Sequence, residues 1–157
     1  SGIVTNDRGV TVWLKGNRVS RNQIMAIKEE SVTEQKNSLA VCLDNILRHA
    51  GITRNTEYDL AQGKTATTIL SENMTGVQVL DLSGCTLDAV LYYVNQDIPV
   101  LAILDDGEAV LVTGFNEFNV VIMEPSTGKL YKKGMNDATA WFAENGNHFV
   151  TYMRVEN

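Results

Sequence analysis

The pattern of apolar residues changes character near Val100, and this change most constrains the fold of the chain. Before it, the clearest signal is a helix with one continuous apolar face, formed by Leu39, Leu43, Ile46, Leu47 and Ala50. After it, apolar runs separated by turn residues predict strands at 100–104, 109–113, 119–123, 129–131 and 149–155, with a helix at 136–143. Helices followed by an antiparallel meander predict an α+β domain, with the central helix packed on the sheet.

The first third of the chain is more polar and carries shorter patterns. Residues 10–13 alternate as a strand, Gly16-Asn17 form a turn, and a return strand is expected from Val19. Residues 21–30 predict a short amphipathic helix. Further short elements are expected between the central helix and Val100, namely helices at 56–62, 65–71 and 86–94 and a strand at 77–80. Asn37 or Ser38 can cap the central helix at its start, and Gly51 can end it.

The chain has the length and composition of one globular domain. Its 157 residues are 44% hydrophobic and 20% charged, which is enough apolar material for a core. No linker or repeat divides it, so we expect a single domain over 1–157, with a hairpin and short helix over 1–30 and the main body over 31–157. The opening Ser1-Gly2, without a methionine, is typical of a domain cut from a longer chain.

The charge balance excludes several classes of partner. Nineteen acidic residues against 13 basic ones give a net charge of −6, so general electrostatic binding to nucleic acid or anionic lipid is not expected. No apolar run approaches the length of a membrane span, and Val100 to Leu104 fits a buried strand. Gly63-Lys64-Thr65 lacks the upstream glycine of a phosphate-binding loop, because Tyr58 stands there. We therefore expect no cofactor.

Three segments in a fixed order carry a family resemblance that covers about residues 35 to 150. The first is the central helix from Asn37-Ser38 to Ala50-Gly51, and the second is Gln96-Asp97-Ile98-Pro99-Val100. The third runs from Gly107-Glu108-Ala109-Val110 to Met123-Glu124-Pro125. The chain resembles the papain-like cysteine peptidases, and most of all the branch that trims double-glycine leader peptides from bacteriocins. This resemblance implies a papain-like fold, and it implies a bacterial, secreted or surface setting.

The resemblance also implies where a catalytic triad would stand, and the residues there have changed. In that family a cysteine opens the central helix, a histidine is the base and an aspartate before proline orients it. Here the matching positions hold Ser38, Glu108 and Glu124. A serine hydroxyl beside a carboxylate gains little nucleophilicity, because a carboxylate is a weak base near neutral pH. The family's oxyanion glutamine would align with Val32, and Gln35 is close but out of register.

These changes predict a peptidase-like domain that has lost catalysis. We expect it to bind an extended peptide or a partner protein in the remnant cleft, with Gln35, Asn37, Ser38 and Glu108 as the binding residues.

Two alternatives remain open at this stage. The first is an active cysteine peptidase with a shifted nucleophile, Cys42 or Cys85, and His148 as the base. Against it, Cys42 falls on the apolar face of the central helix, and His49 is expected to bind carbonyls at that helix's end. The second is a divalent-cation site formed by Glu108 and Glu124 facing each other across neighbouring strands. The two cysteines could also pair as a disulfide.

Overall fold

The computed structural model describes residues 2–5, 11–14, 23–24, 27 and 37–155. Five helices lie in this part of the chain, at Ser38–His49 (α1), Glu57–Ala61 (α2), Ala66–Asn73 (α3), Leu87–Asn95 (α4) and Met135–Glu144 (α5). The nine strands are Gly2–Thr5 (β1), Thr11–Leu14 (β2), Gln23–Ile24 (β3), Val77–Asp81 (β4), Val100–Ile103 (β5), Ala109–Phe115 (β6), Asn119–Glu124 (β7), Lys129–Gly134 (β8) and His148–Arg154 (β9).

Seven of these strands form one antiparallel sheet. Its order is β4-β9-β5-β6-β7-β8, and β3 pairs with the far end of β6. Strands β5 to β8 follow one another as a meander, as the turn residues between them predict. The last strand, β9, then inserts between β4 and β5. This α+β arrangement confirms the fold class expected from the order of helical and strand patterns.

The core lies where α1 and α4 contact β6. All seven residues of β6 are buried, so this strand is covered on both of its faces. The helices contribute fully buried side chains, among them Leu43, Ile46, Leu47 and Leu91, as their apolar spacing predicts. Burial of this apolar surface is the main stabilising contribution, and it holds the start of α1 against the start of β6.

One sequence-based prediction in the first thirty residues is wrong. The helix expected at 21–30 is absent at Gln23 and Ile24, which instead form β3 opposite Phe115 and Gly114. The strand at Thr11–Leu14 exists, but its described partner is the preceding β1. Register pairs Ile3 with Trp13 in this separate two-stranded sheet. The return strand expected from Val19 lies outside the described residues.

The remaining elements lie close to their predicted positions. Their observed ends differ from the predicted ends by a few residues, because the end of an element depends on tertiary contacts as well as on local pattern. No disulfide joins Cys42 and Cys85, so the pairing considered from the sequence is not present. Among the described residues, no helix combines the length and the apolarity that crossing a bilayer requires.

Candidate functional site

The candidate site begins at the N-terminus of α1, where Asn37 is the capping residue. The Asn37 side-chain oxygen accepts hydrogen bonds from the backbone N–H groups of Leu39 and Ala40, at 2.9 and 3.3 Å. Asparagine is favoured at this position because its oxygen satisfies amides that have no partner within the helix. The cap fixes the first turn of α1, and Ser38 is the first residue of that turn.

Ser38 contacts Glu108 directly, although 70 residues separate them in the chain. The Ser38 hydroxyl donates a hydrogen bond to Oε2 of Glu108, and Ser38 Oγ accepts one from the backbone N–H of Ala109 at 2.9 Å. The serine hydroxyl therefore donates its hydrogen bond to a carboxylate and accepts one from a backbone amide. This pair joins the start of α1 to the start of β6.

The turn between β5 and β6 sets the position of Glu108. Asp106 accepts a hydrogen bond from the Glu108 N–H at 2.9 Å, and the Glu108 carbonyl accepts one from the Leu104 N–H at 2.7 Å. Gly107 has φ near 86°, a left-handed conformation that glycine adopts without steric cost. The Asp-Gly pair that predicts this turn in the sequence thus also orients the glutamate toward α1.

A second carboxylate reaches the same helix end. Oε1 of Glu57, at the start of α2, accepts a hydrogen bond from the Asn37 N–H at 3.4 Å. Sequence reasoning missed Glu57, because this contact depends on how α2 packs against α1. A contact between Asp44 and Thr56 stabilises this packing. Oδ1 of Asp44 accepts hydrogen bonds from the N–H and the hydroxyl of Thr56, both at 2.8 Å.

Glu124 lies on the neighbouring strand, and its described hydrogen bonds are local. Its Oε1 accepts from the N–H and the hydroxyl of Ser126, at 3.2 and 3.0 Å. The β6–β7 register pairs Leu111 with Met123, which places Glu124 opposite Val110 rather than opposite Glu108. No hydrogen bond joins Glu124 to Ser38 or Glu108 among the described residues. The expectation that the two glutamates face each other is therefore not met by the strand register.

The Cys42 thiol is one helical turn beyond Ser38 and faces the core. It is fully buried. Burial raises the pKa of the Cys42 thiol far above its ordinary value, and the negative charges of Glu124 and Asp44 raise it further. A thiol in this environment keeps its proton at neutral pH, so it is a poor nucleophile. Cys85, which precedes α4, is buried as well.

The two histidines lie away from Ser38. His49 is eleven residues later on α1, which at helical rise is about 16 Å along the axis. Its Nε2 is 3.2 Å from the carbonyl oxygen of Asp97, so it contacts the loop before β5. The predicted contact with the carbonyls at the end of α1 is not among its described hydrogen bonds. His148 begins β9 and pairs with Ile103, which pairs in turn with Ala109. Two strand spacings thus separate His148 from Ala109, about 10 Å.

Two further predictions concern Gln35 and a metal site. Gln35 lies outside the described residues. Within the described ranges, no group of three or more histidine, cysteine or acidic residues is arranged to hold a metal ion.

Tyr131, on β8, lies close enough to Glu124 that the carboxylate affects its phenol. The pKa of Tyr131 is raised, first by burial and then by this carboxylate.

The described polar groups at the start of α1 are mainly hydrogen-bond acceptors. Among the described contacts of Ser38 there is a carboxylate and a backbone amide, and no imidazole or thiol. The carboxylate oxygens of Glu57 and Glu108 are hydrogen-bond acceptors at the surface, and Asn37 adds an exposed amide. A ligand at this position would supply donors to these acceptors.

A comparison with solved structures identifies a similar fold. The crystal structure of a candidate C39-like peptidase from Bacillus anthracis superposes with a TM-score of 0.69, covering 85% of this chain and 98% of that one at 12% sequence identity. No protein-family model and no curated protein sequence matches the chain. The structural match, with the mixed helix and antiparallel sheet, establishes a C39-peptidase-like, papain-like α+β fold.

Proposed function

We propose that this chain is a peptidase-like domain without peptidase chemistry, and that it binds an extended peptide or a segment of a partner protein beside the N-terminus of α1. The observation that carries the proposal is the hydrogen bond from Ser38 to Glu108. In a cysteine peptidase the nucleophile at a helix N-terminus needs an imidazole to become a thiolate. Here a hydroxyl and a carboxylate occupy these two places, and neither activates the other.

The buried thiols support the same conclusion. Cys42 is inaccessible and its raised pKa favours the protonated form, so it is unsuited to attack a peptide carbonyl. Cys85 is only 3% exposed, which keeps a peptide bond from reaching its sulfur. The shifted-nucleophile alternative would need a large local opening before either cysteine could meet His148.

The scaffold itself favours peptide binding. In the papain-like peptidases that the sequence resembles, the N-terminus of the central helix borders the substrate groove, and here the Ser38–Glu108 hydrogen bond joins the start of α1 to the start of β6. An extended peptide can satisfy its backbone groups in such a groove while its side chains contact the walls. We expect the acceptors Glu57 and Glu108 to favour peptides that carry amine or guanidinium groups.

The test combines a cleavage assay with a binding assay on the same peptides. The probes are extended peptides that contain a Gly-Gly pair, the sequence that the resembled leader-trimming branch cleaves, with and without a neighbouring lysine. We expect no cleavage product by mass spectrometry. In NMR titrations we expect amide shifts concentrated at Ser38, Leu39 and Ala109.

Charge-reversal variants locate the binding site. E108R should abolish the shifts, whereas E117R makes the same charge change at the opposite end of β6, about 20 Å away, and should bind as the unmodified chain does. Cleavage that disappears in C42A or C85A would overturn the loss of catalysis. Titrations that leave the start of α1 unperturbed, or E108R binding as well as E117R, would overturn the binding site.

A further inference from the structure

The outer strand of the sheet on the β7 side, β8, carries a concentration of positive charge. It reads Lys-Leu-Tyr-Lys-Lys-Gly, so three of the 13 basic residues of a chain with net charge −6 lie on six consecutive positions. Lys129 and Lys132 are exposed. In the described part of the chain, no carboxylate forms an ion pair with Lys129, Lys132 or Lys133. These charges therefore remain available to a partner.

The carboxylate of Glu124, on the neighbouring strand, takes part in none of the ion pairs of the described residues. Glu124 is paired with Lys129 in the β7–β8 register, but its Oε1 accepts hydrogen bonds from Ser126. Lys133 contacts Trp141 of α5, with Nζ 4.7 Å from the ring centroid. This cation–π contact holds the Lys133 side chain in place and leaves its positive charge intact.

A tyrosine interrupts the lysines. Strand alternation puts Lys129, Tyr131 and Lys133 on one face of β8, and Tyr131 is 37% exposed. Lysines on an edge strand are common without a partner, because they prevent the edges of two sheets from pairing. An exposed aromatic ring between them is not needed for that purpose, and tyrosine is enriched in protein interfaces because its ring and hydroxyl both make contacts.

The backbone of β8 also offers a strand-like template. Met135 N–H donates to the Phe118 carbonyl at 2.7 Å, in continuation of the β7–β8 register. Since antiparallel residues alternate between facing and turning away from the paired strand, the N–H and C=O of Lys132 point away from β7. An extended segment lying along this edge would meet those groups and the exposed lysines together.

From these observations we propose that the β8 edge, defined by Lys129, Tyr131, Lys132 and Lys133, is a second docking surface that takes an extended acidic segment of a partner protein. Carboxylates of the segment would pair with Lys129 and Lys132, and an apolar residue between them would cover Tyr131. Three lysines form too small a footprint for nucleic acid on an acidic chain, and the outward backbone groups favour a peptide. This surface is separate from the peptide site proposed at Ser38.

The experiment is an NMR titration with an extended peptide that contains Glu-Val-Thr-Glu. Lys129 and Lys132 lie on opposite faces of β8, so an antiparallel partner needs this spacing to place a glutamate opposite each lysine and valine opposite Tyr131. We expect amide shifts at Tyr131, Lys132 and Lys133 that shrink as salt is added, and unchanged amides at Ser38 and Ala109. K129Q/K132Q should weaken binding about fivefold, from two lost cross-strand charge pairs. K64E lowers the net charge by the same two units on another surface and should bind like the unmodified chain.

Three outcomes would overturn the proposal. They are the absence of shifts on β8 at low salt, equal binding by K129Q/K132Q and the unmodified chain, and tighter binding of single-stranded DNA than of the acidic peptide at this edge. Shifts at Ser38 in place of β8 would support the first site and reject this one, so the two proposals are tested independently.

Discussion

At the scale of single residues, the site depends on one contact between Ser38 and Glu108. Ser38 Oγ donates to the carboxylate and accepts from Ala109, so its position relative to β6 is set by two hydrogen bonds. Geometry of this kind would also suit a thiolate–imidazolium pair, in which a sulfur and a ring nitrogen are within hydrogen-bond reach. Under the proposed function, the chemistry of these two side chains is what distinguishes the site from that of an active cysteine peptidase.

That distinction predicts the behaviour of a double variant. In S38C/E108H the new thiol should have a pKa below its usual value of about 8.5, because the imidazolium and the N-terminus of α1 stabilise the thiolate. In S38C alone, Glu108 should raise that pKa through charge repulsion. Alkylation by iodoacetamide over a pH series, with the modified cysteine located by mass spectrometry, measures both values.

The single variant E108H serves as the background control, since it leaves only the buried Cys42 and Cys85. It should be alkylated slowly at every pH in the series. Identical alkylation profiles for S38C and S38C/E108H would contradict the view that residues 38 and 108 form a nucleophile–base pair in space.

At the scale of secondary-structure elements, α1 is held at its N-terminal end by the Asn37 cap and along its side by α2. The side contact uses Thr56, which is fully buried and whose hydroxyl donates to Asp44 Oδ1 and approaches the Ala40 carbonyl at 3.3 Å. Because Glu57 is the next residue, this contact also places the second carboxylate at the start of α1.

Replacing Thr56 by valine should therefore lower the free energy of unfolding more than the small change in side-chain shape indicates. T56V keeps the volume but removes the hydroxyl donor, leaving Asp44 with one fewer bond in a partly buried place. We expect the free energy of unfolding to fall by about 1–3 kcal/mol, as measured by urea denaturation. T56S keeps the hydroxyl and loses one methyl group, so it should cost only about 0.8 kcal/mol. A T56V protein as stable as the unmodified chain would show that this bond contributes nothing.

At the scale of the whole molecule, the sequence predicts elements better than it predicts pairings. The helices α1 and α4 and strands β4 to β9 were predictable because periodicity, caps and turn residues are local signals. Strand β3 was not, because Gln23 and Ile24 become a strand by pairing with Gly114 and Phe115, which are distant in the chain. The contacts His49–Asp97 and Glu57–Asn37 were missed for the same reason.

The candidate site was accessible from sequence only through the order of three motifs. Spacing within the central helix and the Asp-Gly turn before Glu108 indicated which residues to examine, and the structure places Ser38 and Glu108 in contact. Sequence spacing could not show the β6–β7 register, because a shift at Thr113 adds one residue to β6 and changes which residues pair; even so, Glu124 falls opposite Val110 and not opposite Glu108.

The buried ionisable groups make the stability of the whole domain depend on pH in the alkaline range. Burial raises the pKa of Cys42, with smaller contributions from Glu124 and Asp44, and burial likewise raises the pKa of Tyr93. Above about pH 8.5 the unfolded chain loses the Cys42 proton while the folded chain keeps it. Since the folded state then binds more protons, the free energy of unfolding should fall by about 1.4 kcal/mol per pH unit from this group.

Urea denaturation at a series of pH values measures this slope, and two variants assign it. C42A should reduce the decline between about pH 8.5 and 10, even though it lowers stability at neutral pH by removing a buried side chain. I46V loses packing on the same helix but keeps the thiol, so its stability should decline with pH as steeply as that of the unmodified chain. If C42A and I46V have equal slopes, ionisation of Cys42 does not limit alkaline stability and its thiol is more accessible than its complete burial implies.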